Sequence, residues 1–372
     1  MELGAKRKWS RASGSGLAVD RLSALPDCLL HVIMSFMKAR QVVQTCALSK
    51  RWEHLWRTVP CLDIDQREFQ KTGESADKVW ENFEDFTDNL MFRHEIARLD
   101  MFRLHVNDGY YWGRSASRWI RCSIKYSAKH IRSRCCSLED LDLKRCRLAL
   151  DEIESHSLKN LVIDDCHREN MDDMDEIDYH SKLIVTAPAI ASLYLKSFYF
   201  CGGLFVIEMP SLSKASILVL HNFKGSTFHS NQFKFLSSLC NVTTLELSGF
   251  QTMVIPEEQV ELPEFKNLKI LSLDKCDLRD NFQLLMHFLL NSPNLEKITL
   301  RLCKLTKDSK KRKGKAKQKK TSLGDIQCQN LKFTEIIYDV DDVLQLVEFL
   351  LGYSVSLPKN NIKLTKADDY YG

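Results

Sequence analysis

The stretch Leu138-Glu139-Asp140-Leu141-Asp142-Leu143-Lys144-Arg145-Cys146 decides the fold. Apolar residues hold its first, fourth and sixth places, and a cysteine closes it. In an extended chain successive side chains alternate between faces, so Leu141 and Leu143 share one side and Asp142 takes the other. The pattern returns at Leu158/Leu161/Ile163, Ile190/Leu193/Leu195 and Leu212/Ala215/Ile217, then at Val242/Leu245/Leu247, Leu268/Leu271/Leu273 and Leu295/Ile298/Leu300. Cys166, Cys276 and Cys303 follow their last apolar residue by three positions, as Cys146 does. A side chain there can satisfy backbone groups where the chain turns out of a strand. Successive units start 20 to 32 residues apart. That is a degenerate repeat with connections of variable length, stacked so that each unit buries its apolar face against the next.

Outward from this core, Val59-Pro60-Cys61-Leu62-Asp63-Ile64 and Leu99-Asp100-Met101-Phe102-Arg103-Leu104 read as two earlier strands. Phe83, Phe86, Leu90 and Met91 have helical spacing, as do Trp119, Ile120 and Ile124, and both sets are expected on the outer side. Beyond the repeats, Leu331 to Ile337 reads as a strand, Val343 to Leu351 as an amphipathic helix, and Asn361 to Leu364 as a last strand. Before them lies a short helical block. Leu25-Pro26-Asp27 looks like a helix start, followed by Leu29, Leu30, Ile33, Phe36 and Met37 as one apolar stripe. Val42, Val43 and Cys46 suggest a second helix. Ser49 is the expected N-cap of a third, with Trp52, Leu55 and Trp56 on one face. Three helices this short bury little surface alone, so the block is expected to pack against something else.

The expected organisation is a mobile basic tail over 1–19, a helical block over 20–58 and a solenoid over 59–305. A basic disordered loop follows over 306–322, then a C-terminal segment over 323–372. The chain has 372 residues with 44% hydrophobic and 27% charged, ordinary for a packed protein of more than one unit. No apolar run approaches the ~18 residues that cross a bilayer. The first residues lack an apolar h-region, so neither a secretory signal nor a membrane role is expected. Thirteen cysteines with no C-x-x-C pairs point to free thiols in a reducing compartment, not to zinc. The net charge of +4 is uneven: Lys304 to Lys320 holds ten Lys or Arg against Asp308 alone, leaving the body mildly acidic.

That basic run could serve nuclear import, but it has no aromatic residue for base stacking, which argues against nucleic-acid binding. Its plainer reading is a solvated insertion. Asp164 to Asp178 carries eight carboxylates without a recognisable metal-ligand spacing and reads as an acidic surface loop. Asn241-Val242-Thr243 matches a glycosylation sequon, yet Val242 belongs to the repeat. Phosphate-binding Gly-rich loops, a G-x-S-x-G elbow and H-E-x-x-H are all missing from the sequence, so no intrinsic enzyme is expected.

The helical block resembles an F-box. Asp20-Arg21-Leu22-Ser23-Ala24-Leu25-Pro26-Asp27 opens it, Ile33-Met34-Ser35-Phe36-Met37 continues it, and Val42 to Trp52 (VVQTCALSKRW) with Leu55-Trp56 closes it. LPD followed by a CxLSKRW-type segment and LW is the plant-type form. The repeats are similar to the leucine-rich region such proteins carry, and 323–366 is similar to the FBD-like segment that ends many of them. The resemblance implies an α/β chain: a three-helix F-box, then an irregular leucine-rich-repeat solenoid with parallel strands on the concave face and helices and loops on the convex one. It implies a non-catalytic substrate receptor of an SCF-type ubiquitin ligase, working in the nucleus and/or cytoplasm. The F-box would dock on a Skp-type adaptor and through it on a cullin. The implied adaptor-facing residues are Leu25, Pro26, Leu29, Leu30, Ile33 and Phe36 on the first helix and its flanks. Val42, Val43, Cys46, Leu48, Trp52 and Leu55 follow. The alternatives are a non-ligase F-box/leucine-rich scaffold and a nuclear nucleic-acid-associated protein using residues 307–320.

An unidentified protein target is expected on the concave face, where the residue between the last two apolar positions of each unit points out. That row is Asp142, Val162, Tyr194, Glu246, Ser272 and Thr299, flanked by Lys144, Asp164, Lys196, Asp274 and Arg301. Its mixed charge argues against a polyanionic cofactor, which needs several converging Lys or Arg, so no cofactor is expected.

Overall fold

The computed structural model describes residues 22–367 apart from 23, 96–98, 108–112, 130–137, 149–151, 169–182, 197–203, 208, 219–235, 237, 251–262, 280–281, 306–329, 340–342 and 353–360. The expected tail, the basic loop and most of the acidic stretch therefore lie outside the described residues.

One parallel sheet of 11 strands runs through the chain. It begins with β1 (Cys61–Asp65), β2 (Met101–His105), β3 (Asp140–Lys144), β6 (Asn160–Asp164), β9 (Ser192–Lys196) and β11 (Lys214–Leu218). It ends with β12 (Thr244–Ser248), β13 (Ile270–Asp274), β14 (Lys297–Arg301), β15 (Phe333–Tyr338) and β16 (Asn361–Lys366). The order across the sheet is the order along the chain, as a stacked repeat requires. Leu141 pairs with Leu161 and Leu143 with Ile163, and the same match of apolar positions continues from strand to strand. These positions are buried in every unit of the pattern, so one continuous core lies behind the sheet.

Two backbone devices recur. On the way into the strands, one carbonyl accepts two successive amides of the next unit: Pro60 from Asp100 and Met101, Glu139 from Lys159 and Asn160, Thr243 from Lys269 and Ile270. On the way out, the chain turns through a left-handed residue at Arg145, Asp165, Gly249, Lys275 and Leu302. Only one of these is glycine, although a side chain in this conformation costs about 1 kcal/mol. The compensation is visible. Each of these amides donates to a carbonyl at or next to the end of the neighbouring strand, for example Arg145 to Asp164 at 2.8 Å and Lys275 to Arg301 at 2.7 Å.

The residue after each left-handed turn is the closing cysteine, or Phe250 in the β12 unit. Cys276 Sγ donates to the Leu247 carbonyl at 3.4 Å and that of Asp274 at 3.5 Å. Cys146, Cys166 and Cys303 make the equivalent pairs of contacts. Burial pushes the Cys276 thiol up to about 12, so it stays a protonated donor. Cys276→Ala should therefore lower unfolding free energy by about 1–2 kcal/mol, since two carbonyls lose a partner and a small cavity opens. Urea unfolding checks this, and an unchanged midpoint would show that the sulfur contributes nothing.

Helices cover Ala76–Arg93, Gly113–Lys129, Gln283–Asn291 and Val343–Gly352 on the connections. Between β3 and β11, however, the described connections also return as strands where helices and loops were expected. β5 (Glu152–Glu154), β8 (Leu183–Thr186) and β10 (Leu204–Ile207) form a second parallel sheet, and β4 (Arg147–Leu148) pairs with β7 (His167–Arg168). Leu148, Ile153, Leu183 and Val185 fill the core from that side with two-residue alternation.

The N-terminal block is α1 (Asp27–Met34), α2 (Ala39–Gln44) with a 3-10 turn at Thr45–Ala47, and α3 (Lys50–Leu55). Pro26 sits at the N-cap position, its carbonyl accepting from Leu29 and Leu30. Ser49 occupies the N-cap of α3, but its hydroxyl makes no capping bond. Arg51 fastens the start of α1 instead, donating to the Leu25 carbonyl at 2.6 Å and to Asp27. The block is anchored to the first unit of the solenoid. Lys38 reaches Asp63 at 2.8 Å and Asp65 at 3.3 Å, and Arg40 lies 4.7 Å over the Phe69 ring. Burial opposes ionisation of Asp65, but bonds from Arg67 and Lys38 outweigh it and bring its pKa down to about 2.

Candidate functional site

Two surfaces collect the residues singled out in the sequence. The first is on the helical block. The expected single stripe on α1 divides in two. Leu30 and Met34 are buried, whereas Leu29 is 48%, Val32 54% and Ile33 41% exposed. Phe36 lies past the end of the helix and is 86% exposed; Leu48, after the 3-10 turn, is 62% exposed. α1 is apolar nearly all round because it has two faces to cover, and the chain covers one. Pro26 and Cys46 are also exposed, and Leu25 and Val43 are half-buried against the core. Leu30, Val42, Trp52 and Leu55 are enclosed by the chain itself, so their side chains hold the helices together from within. Val32 belongs to the exposed set and the sequence reading passed over it; spacing alone could not say which side of an all-apolar helix the fold would fill.

An exposed cluster of large apolar side chains is costly in water, and a patch of this kind marks a protein–protein contact. Thr58 Oγ1 lies 3.0 Å from His31 Nε2, which joins the other side of α1 to the segment leading into β1. The patch is thus presented on helices fixed to the solenoid.

The second surface is the sheet face opposite the core. Strand register brings Asp142, Val162, Tyr194, Glu246, Ser272 and Thr299 into one line, with Arg301 in the adjacent line. The line is longer than the repeats suggested. Asp63 and Arg103 extend it at one end, Glu335 and Lys363 at the other, and Ser216 fills the place between Tyr194 and Glu246. The alternation within β1, β2, β15 and β16 carried that signal, as did the Ala215/Ile217 pair for Ser216.

Charges on this face are largely neutralised by neighbours. Asp142 lies 3.1 Å from Lys144 and 3.9 Å from Arg103; Asp164 lies 3.0 Å from Lys196; Glu335 lies 3.0 Å from Lys363. Burial, then the fields of Asp164 and Glu246, raise the Tyr194 pKa, so its hydroxyl stays protonated. Such a surface can recognise a polypeptide by hydrogen bonds, charge and one aromatic contact. Among the described residues no group of three or more His, Cys, Asp or Glu is placed to hold a metal ion.

Residues 22–63 match the F-box domain family. Over 395 aligned residues the chain is 29% identical to the meiotic F-box protein MOF of Oryza sativa subsp. japonica, covering 85% of this chain and 80% of that protein. It is 31% identical to F-box/LRR-repeat protein 13 of Arabidopsis thaliana, over 56% of this chain and 47% of that one. An F-box/FBD/LRR-repeat protein of the same plant is 32% identical over 32% of this chain and 25% of its own length.

Proposed function

Because the chain is an F-box/leucine-rich-repeat protein, we propose that it serves as the substrate receptor of an SCF-type ubiquitin ligase. The helical block docks on a Skp-type adaptor, which joins it to a cullin, and the solenoid holds a protein target. The observation that carries this reading is the uncovered apolar cluster of Leu29, Val32, Ile33, Phe36 and Leu48 within the F-box match. Chemistry then belongs to partner subunits, and this chain supplies proximity, which by itself lowers a barrier by several kcal/mol. Free thiols at all described cysteines fit work in a reducing compartment, the nucleus and/or cytoplasm.

The test is co-purification with adaptor and cullin, repeated with Ile33→Asp/Phe36→Asp. Interface anchors carry ~2 kcal/mol or more each, so adaptor affinity should fall at least tenfold. Melting temperature should change little, because Phe36 is almost fully exposed and neither side chain belongs to the buried core. Undiminished adaptor capture by the double variant would reject this docking face. Capture of adaptor without cullin would point to a non-ligase scaffold.

A further inference from the structure

We propose that the end of the sheet face where strands β11 to β15 begin holds an acidic segment of the target that carries one large apolar residue. Ile270 and Phe333 receive the apolar side chain, and Lys214, Lys269 and Lys297 receive the carboxylates. This rests on the reading of the solenoid as the target-holding part and adds the chemistry of what it holds.

The first residue of each strand shares a face with the line from Asp142 to Thr299, two positions further on. Strand register places these first residues opposite one another. From β3 to β12 they are polar: Asp140, Asn160, Ser192, Lys214 and Thr244. From β13 to β15 they are Ile270, Lys297 and Phe333. Ile270 is 41% exposed although its strand lies away from both sheet edges. Lys297 holds its Nζ 5.5 Å from the centroid of the Phe333 ring. A lysine so placed lays its aliphatic stem along the surface, which joins Ile270 and Phe333 into one apolar stripe across three strands.

The charge around this stripe is positive and unbalanced. Lys269 precedes Ile270, and with Lys266 and Lys332 it lines a groove of about 530 Å³ in which Glu296 is the one described acid. Glu296 already holds Lys332 at 2.8 Å, and the bond and charge of Lys332, then the charge of Lys269, keep its pKa low. Lys266 holds Glu264 at 3.4 Å. Among the described residues Lys214, Lys269 and Lys297 form no ion pair. Lys214 stands between Ser192 and Thr244, and its diagonal neighbour Glu246 accepts from Ser216 instead. Lys297 stands between Ile270 and Phe333, and its diagonal neighbour Glu335 holds Lys363 at 3.0 Å. Cations left without counter-charges draw in a partner of opposite sign and fix its register. A nucleic acid carries that sign too, but it binds by stacking on open rings. Here Lys297 lies over Phe333, and Ile270 has no ring, so a polypeptide fits better. From β11 to β15 there are four strand gaps of about 4.8 Å, or ~19 Å, the length of about six extended residues. The window therefore fits a short extended segment with a central Leu, Ile, Met or Phe and Asp or Glu on both sides.

The experiment selects displayed random twelve-residue peptides on the full-length chain and on its Lys269→Glu/Lys297→Glu variant. The wild-type protein should enrich peptides in which a large apolar residue is flanked by Asp or Glu. The best of these should bind the charge-reversed variant at least about tenfold more weakly, while its counterpart with Lys at each acid gains affinity. Ile270→Asp should weaken the same peptide by a similar factor. Should either variant fail to fold, Lys269→Gln/Lys297→Gln and Ile270→Ala supply the same comparisons. A wild-type selection that yields no peptide, or no preference for acids beside an apolar residue, would overturn the proposal. Equal binding of the acidic peptide to wild type and to either variant would overturn it too. So would a single-stranded oligonucleotide that displaces the peptide and binds more tightly, which would make this a nucleic-acid surface. Adaptor binding is measured in parallel: its loss would count against the F-box reading, whereas these outcomes bear on the sheet face alone.

Discussion

Trp119→Ala should remove about 3–5 kcal/mol of unfolding free energy, the range for deleting a buried aromatic side chain. Trp119 is 1% exposed and sits on the Gly113–Lys129 helix where it meets the Ala76–Arg93 helix. Its ring packs edge-on to Phe83 at 5.6 Å and lies 6.1 Å from Trp80. Phe83 continues the cluster to Phe69 at 5.5 Å. Truncation would leave a void lined by large rigid rings, which cannot collapse to fill it. The indole N–H also donates to Asp88 at 2.6 Å, a carboxylate shared with Arg118. Trp119→Phe should therefore cost much less, since most of the volume stays and Asp88 keeps its arginine. Phe36→Ala is the control: loss of an aromatic ring at an exposed site should shift the urea midpoint very little. A cost under 1 kcal/mol for Trp119→Ala would mean that the two helices are not packed through this side chain.

Acidification from pH 7 to 5 should destabilise the protein by roughly 4 kcal/mol through His94 and His287, about 2 kcal/mol each. Burial lowers both pKa values to about 4 from an ordinary 6.5. His94 Nε2 donates to the Val59 carbonyl at 2.9 Å, so the neutral ring is held at the foot of the first strand. His287 packs against Phe265 with Asn291 2.8 Å from its Nδ1. Both are neutral in the fold and take up a proton more readily when unfolded. Their stabilisation is complete above pH 6.5 and is lost as pH falls towards 4. Asp65 acts in a separate, lower window, because its contribution is intact above 3.8 and fades only towards 2. Unfolding free energies at pH 7 and 5, for wild type and His94→Gln/His287→Gln, test this. The variant should lose most of the pH dependence, and an equally steep slope without both histidines would defeat the assignment.

The repeats were legible in the sequence because a strand buried on one face leaves a two-residue signature that no connection length can erase. Leu141 and Leu143 point inward, Asp142 outward, and the closing cysteine marks the turn. From this alone the parallel sheet and the line from Asp142 to Thr299 follow. The LPD and CxLSKRW segments likewise identified the helical block, since its contacts are local. Most of the left-handed turns were hidden, because Arg145, Lys275 and Leu302, unlike Asp165, are not residues that favour that conformation; the neighbouring strand's carbonyl imposes it. The short strands behind β3 to β11 were hidden for a related reason: three or four residues are too few for periodicity to speak.

What the tertiary structure alone decided is which side of each apolar element meets water. On α1 every turn carries apolar residues, so spacing cannot tell Leu30 from Leu29 or Ile33. Packing against α3 and the Trp56–Thr58 turn encloses Leu30 and Met34 and leaves Ile33 and Phe36 outside. On the sheet, composition shows acids and cations in similar number, but only strand register shows that Asp142, Asp164 and Glu335 face a cation, that Glu246 stands between two serines, and that Asp274 stands between Ser248 and Arg301. Periodicity is a property of neighbours along the chain. Burial and charge pairing are set by neighbours across it, some twenty to thirty residues away, and those exist only once the units have stacked.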